Sequence, residues 1–303
     1  MSHRDHGPGF IEPERFAQLR ERRATDPGAV ADAHAARTRR LVLGDNGRLF
    51  ILAADHPARG ALGVGDDPMA MADRYELLDR LALALSRPGV DGVLATADII
   101  DDLALLGVLD DKVVVGSMNR GGLRGATFEL DDRFTGYDID GIVRDRLDFA
   151  KSLLRIDLQD PASVATIAAT AAAVSAAAAA GVPIMIEPFM SSRRDGATVN
   201  ELTTQAVITS VAIASGLGTS SAYTWMKLPV VDGMERVMAA TTLPTLLLGG
   251  ERADDAAATY ASWKGALRLP GVRGLVVGRT LVYPPDGDVT RAVDTAAALV
   301  HEA

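Results

Sequence analysis

From Leu49 to the C-terminus the sequence repeats one pattern eight times: a short apolar run followed by a stretch of helical period. Runs of this kind can be buried on both faces only in a parallel sheet flanked by helices, so the alternation predicts βαβ units. The predicted strands are 49–55, 92–97, 112–117, 149–156, 183–187, 223–230, 244–248 and 274–279. Pro188 and Pro229 are expected to end the fifth and sixth strands, because neither residue can donate to a ladder. Helices are expected over 69–85, 139–148, 202–215, 232–240 and 289–300. An alanine-rich helix should run from Asp160, its cap, to Gly181, its stop.

Eight strand–helix pairs in roughly 255 residues match the size of a (β/α)8 TIM barrel. A doubly wound open sheet would carry a glycine-rich fingerprint after its first strand, and Ala-Ala-Asp-His-Pro-Ala-Arg-Gly at 53–60 is not one. The expected class is therefore α/β, with a barrel over 47–303. Residues 1–46 form an N-terminal helical extension, with Arg-rich patterns at 12–23 and 27–40 that would pack on the barrel or a partner subunit.

A net charge of -9 and a pI near 5.1 argue against nucleic-acid and membrane-surface binding. The absence of cysteine removes disulfides, thiolate nucleophiles and sulfur-ligated metals. The N-terminus lacks an apolar signal core and no run approaches a membrane span, so cytoplasmic residence is the expectation. The 118–138 segment, long and glycine-rich, reads as a lid or binding loop.

In a parallel barrel the inward side chains nearest the strand carboxyl ends share one cup. Asp55, Lys151, Arg155, Glu187 and Lys227 fall there. Adjacent strands lie about 4.8 Å apart, which places Lys151 and Lys227 on either side of Glu187 with roughly 10 Å between their backbones. The chain has only four lysines, and Lys227 is embedded in a strand. A free lysine is only about one part in 2,500 neutral at pH 7. Burial and a second ammonium, Lys151, are expected to lower its pKa until it can attack a carbonyl as an amine. The iminium so formed is an electron sink for carbon–carbon cleavage, with Glu187 and Lys151 moving protons.

Each residue also has a plainer reading. Lys227 could be ion-paired with Glu187, Lys151 could reach solvent, Glu187 could cap a helix, and Asp55 could hold its own loop. His56 is the only histidine at a strand end, so neither a metal site nor a cofactor is expected. Gly249-Gly250 and Gly278-Arg279 follow the seventh and eighth strands, where barrels commonly bind phosphate; tight turns are the alternative.

These residues, with AKSLLRID at 150–157, IMIEPF at 184–189 and WMKLPV at 225–230, resemble the class I aldolase superfamily that includes deoxyribose-phosphate and tagatose-bisphosphate aldolases. The resemblance implies that Lys227 forms the Schiff base, that Lys151 and Glu187 are acid/base groups, and that Gly249, Gly250, Gly278 and Arg279 cradle phosphate. The 118–138 loop and GRTLVYPPDGD at 278–288 look like an actinobacterial-type subgroup associated with inositol catabolism. That likeness implies cleavage of 2-deoxy-5-keto-gluconate 6-phosphate to dihydroxyacetone phosphate and malonate semialdehyde.

Two departures stand out: Arg155 replaces a more usual aromatic residue, and the loop after the third strand is longer. An extra carboxylate or sulfonate on the substrate would account for Arg155 and for loop cations such as Arg120, Arg124, Arg133, Arg193 and Arg194; solvated loop charges are the other reading. A sulfofructose-phosphate or tagatose-bisphosphate type of aldolase, a phosphosugar isomerase with Glu187 as base, and a non-catalytic sugar-phosphate sensor are the alternatives. The expected partners are a small phosphorylated sugar and further copies of the chain in a homo-oligomer.

Overall fold

The computed structural model describes residues 9–249 and 256–303. Its strands are β1 (Leu49–Ala53), β2 (Gly92–Ala95), β3 (Val113–Ser117), β4 (Phe149–Ile156), β5 (Ile184–Arg194), β6 (Ala197–Asn200), β7 (Thr224–Pro229), β8 (Thr245–Leu248) and β9 (Val272–Val277). All but β6 form a closed parallel ring, sealed by the β1–β9 and β4–β5 pairings. The expected (β/α)8 barrel is what the chain forms.

The period of two along each strand sorts side chains between two cores. Leu49 and Ile51 point into the barrel with Leu94, Val115, Phe149 and Met185, while Phe50 and Leu52 pack outward against the helices. Val42 and Leu43 pack against the inner core. Around them, Arg37 and Arg39 pair with Asp148, which precedes β4, and Arg40 pairs with Asp91, which precedes β2. The segment before β1 thus covers the amino-terminal end of the ring. The extension's helices, Pro13–Thr25 and Gly28–Ala36, dock on the barrel's own helix Ala97–Leu105 through Arg23 to Asp102 (2.6 Å) and His34 to Asp101 (3.0 Å).

Two expectations change. Pro188 does not end β5: the ladder to β7 registers only through Ile186, but the ladder to β4 continues to Met190, and the strand then turns back into the antiparallel β6. A missing donor is tolerated where a strand is paired on one side only. Second, the helix Ala162–Ala180 is, by length and composition, long and apolar enough to cross a membrane, contrary to the sequence reading. Its buried residues, Ser163, Thr166, Thr170, Ala173, Val174 and Ala177, follow helical spacing, as a barrel helix requires. The loop after β3 is held by hydrogen bonds. Asn119 Oδ1 accepts from the Leu153 backbone N–H (2.8 Å), Gly122 N–H donates to Asp132 Oδ1 (2.9 Å), and Thr166 Oγ donates to the Leu130 carbonyl (2.8 Å). These bonds tie the loop to β4 and to the helix Ala162–Ala180.

Candidate active site

Two residues before each strand lysine stands an aromatic ring, and Phe149 and Trp225 meet edge to face at 5.3 Å and 88°. Along the same inward columns, Lys151 and Lys227 follow one pleat higher, toward the carboxyl ends of β4 and β7. Glu187 lies on β5 between them. Its Oε2 is 2.6 Å from Lys151 Nζ and its Oε1 is 2.7 Å from Lys227 Nζ. All three side chains are buried. Burial acts to raise the Glu187 carboxyl, but Lys151 and Lys227 outweigh it and bring it down to about 2.

The sequence reading sets Glu187 between the two lysines and relies on the second ammonium to lower Lys227; in the structure the Glu187 carboxylate lies between the amines and holds both. Burial pushes the Lys151 ammonium down, Asp55 and Glu187 oppose that, and Arg120 and Lys227 add to it; the balance is below the ordinary lysine value.

Asp55, two residues past β1, completes the row. Its Oδ2 accepts from Ser117 Oγ (2.9 Å), Arg120 (2.5 Å) and Lys151 (3.2 Å). Burial pushes its carboxyl up, yet Arg120 and Lys151 hold it well below the usual carboxylate range. The groups therefore alternate in sign: Arg120, Asp55, Lys151, Glu187, Lys227. Such alternation keeps buried charges paired.

His56 Nδ1 lies 3.9 Å from Asp55 Oδ1, too far for a hydrogen bond. Burial, reinforced by Arg279, Lys227 and Arg120 against Asp55, lowers the imidazole to about 3, so it is uncharged at neutral pH.

Asp55, Lys151, Glu187 and Lys227 are thus brought together as expected. Arg155 is not: although it points inward from β4, it donates to Glu129 Oε1 (2.6 Å) and to the Glu129 carbonyl (2.8 Å). It ties down the loop instead of facing a ligand. Arg59 reaches the same Glu129 oxygen (3.3 Å); burial, with Arg155 and Arg120 nearby, lowers it to about 10. Arg133 pairs with Asp131, Arg193 with Asp160 and Arg194 with Glu201.

Gly249 and Gly278 follow β8 and β9, and both have packing reasons to be glycine. A Cβ at 278 would stand 2.2 Å from the Ala53 carbonyl, and one at 249 would stand 2.5 Å from Val277 Cγ1. Arg279 opens a short helix, Arg279–Val282, with NH1 3.4 Å from the Gly63 carbonyl. Gly250 lies outside the described residues.

Arg120 is the site residue that sequence reasoning left among the loop cations. Its one sequence signal is position: it follows Ser117 by three residues, at the carboxyl end of β3, where a barrel gathers functional groups.

A closed parallel barrel with charged groups clustered at the strand carboxyl ends defines a TIM-barrel protein. An archaeal fructose-1,6-bisphosphate aldolase with its catalytic Lys covalently bound to the carbinolamine intermediate of the substrate is similar at a TM-score of 0.63 and 19% identity, covering 90% of this chain and 99% of that one. The fructose-bisphosphate aldolase from Slackia heliotrinireducens DSM 20476 aligns with a TM-score of 0.57 at 14% identity, covering 99% of this chain and 95% of the other.

Within this class the chain belongs to the Cgl0159-like family, which it matches over residues 47–297. The crystal structure of Cgl0159 from Corynebacterium glutamicum (Brevibacterium flavum) has a TM-score of 0.96 to it at 65% identity, covering 97% of this chain and 99% of that one. No curated protein gives a significant sequence match.

Proposed function

We propose that the protein is a class I aldolase that cleaves a phosphorylated keto sugar or keto sugar acid through a Schiff base on Lys227. The observation that carries this reading is the pair of buried lysines on opposite oxygens of one carboxylate, at 2.6 and 2.7 Å. The archaeal aldolase with a lysine-bound carbinolamine supports it through the shared fold.

The Lys227–Glu187 ion pair is compatible with this chemistry because the protons balance. An ammonium and a ketone give a protonated imine and one water, so the two protons lost from nitrogen leave in that water. No net proton need cross the mouth. Glu187 Oε1 is placed to take a proton from Lys227 as the amine attacks, and Lys151 to give one to the departing carbinolamine hydroxyl. As Lys227 loses its ammonium form, the field that holds Glu187 near 2 weakens, and the carboxylate becomes a better base.

The first substrate to test is 2-deoxy-5-keto-gluconate 6-phosphate. Its C5 ketone would condense with Lys227. Loss of the C3 hydroxyl proton would break the C3–C4 bond, giving malonate semialdehyde and an enamine. Protonation and hydrolysis of that enamine release dihydroxyacetone phosphate.

Borohydride added with dihydroxyacetone phosphate is expected to leave a reduced adduct on the peptide that carries Lys227, seen by mass spectrometry and absent from Lys227→Ala. Turnover retained in full by Lys227→Ala refutes the reading. Isomerisation without any adduct would replace it with the isomerase chemistry.

A further inference from the structure

Three donors crowd a single oxygen of Asp55, and they do not share it equally. Arg120 stands at 2.5 Å, Ser117 Oγ at 2.9 Å and Lys151 Nζ at 3.2 Å. Lys151 has its shorter contact elsewhere, at 2.6 Å from Glu187 Oε2. The guanidinium is anchored: Nε donates to Ser117 Oγ (3.0 Å) and NH1 to the Asp55 carbonyl (3.3 Å). With all three nitrogens engaged by protein groups and 7% of the residue exposed, Arg120 is built to hold Asp55, not a ligand.

We propose that Arg120 is a positioning residue: by occupying Asp55 it leaves the Lys151 ammonium turned toward Glu187 and ready to give up its proton. The role assigned to that proton rests on the aldolase reading, whereas the geometry does not. The charged groups facing Lys151 are Asp55 from the end of β1, Arg120 from the loop after β3, Glu187 from β5 and Lys227 from β7. His56, beside Asp55, stays uncharged. If Arg120 is removed, Asp55 keeps the Ser117 hydroxyl and has Lys151 as its one hydrogen-bonded cation, and a like charge disappears from the surroundings of Lys151. Both changes make the ammonium harder to deprotonate. Burial lowers Lys151 in the intact site, and Arg120 acts in the same direction.

The small lysine complement makes a direct test practical. Protein labelled with 13C-lysine should give four side-chain Cε signals, from Lys112, Lys151, Lys227 and Lys264, assigned with Lys151→Arg and Lys227→Arg. In Arg120→Gln the Lys151 titration midpoint is expected to move to higher pH by about one pH unit. The signals of Lys112 and Lys264 should be unmoved, reporting an intact fold. In turnover, kcat is expected to fall at unchanged KM, with the basic limb of the kcat profile displaced upward, and Arg120→Lys to recover part of the loss.

A Lys151 midpoint that is unchanged or lower in folded Arg120→Gln overturns the proposal, as does a selective rise in KM with Lys151 unmoved. If Arg120→Gln does not fold, Ser117→Ala removes the anchor of Nε and is expected to move Lys151 the same way by less; no movement there overturns it equally. The titration needs no substrate, so failure of borohydride trapping would remove the aldolase reading without touching this result.

Discussion

Replacing Glu187 with Gln tests the charge row at its centre. The substitution preserves shape but leaves two buried ammoniums facing a neutral amide. Lowering the carboxyl from an ordinary 4.5 to about 2 corresponds to about 3 kcal/mol of interaction favouring the folded state. A loss near 3 kcal/mol also falls within the range for breaking a buried ion pair from one side. Because the folded-state value lies below the unfolded one, this stability is complete above about pH 5 and disappears as pH falls toward 2. Urea denaturation of wild type and Glu187→Gln should therefore differ by about 3 kcal/mol at pH 7 and by less than half of that at pH 3. In thermal melts at pH 7 the variant should unfold roughly 5 °C lower. Stability within about 1 kcal/mol of wild type at pH 7, or a gap that widens on acidification, would refute the reasoning.

Arg155→Ala leaves Glu129 with Arg59 and the Gly125 N–H and should cost about 3–5 kcal/mol. Trypsin should then cut faster at Arg124 and Arg133, and an unchanged digestion rate would show that the loop does not depend on this pair. Gly278→Ala forces a Cβ to within 2.2 Å of the Ala53 carbonyl, so β9 and β1 must separate and the melting temperature should fall by more than about 5 °C. A variant of wild-type stability that binds sugar phosphate poorly would show instead that this glycine is kept for a ligand.

The barrel was legible because each strand is an uninterrupted apolar run, and burial on both faces is what such a run needs. The inward direction of Lys151, Glu187 and Lys227 followed from a period of two and required no knowledge of partners. Arg155 was read correctly as inward, but its partner Glu129 lies 26 residues away in a loop with no periodicity, so nothing local marked the pair. Arg120 was hidden in the same way. The β5–β6 hairpin was missed because Pro188 was treated as an absolute stop, when only one flank of the strand goes on pairing beyond Ile186. Glu187 was expected to move protons near Lys227, yet its occupation of both lysines at once emerges only from three-dimensional spacing.

The Phe149–Trp225 contact beneath the lysines, together with Val42 and Leu43 below the ring, closes the site from the amino-terminal side. If the proposed aldolase chemistry holds, substrate and both halves of the cleaved sugar must pass at the carboxyl end of the strands, beside the 118–138 segment. Under that chemistry the fragment held by Lys227 lies at the closed inner end, so traffic becomes sequential: the untethered piece departs first, and the lysine-bound piece is released only after water has followed the same path inward.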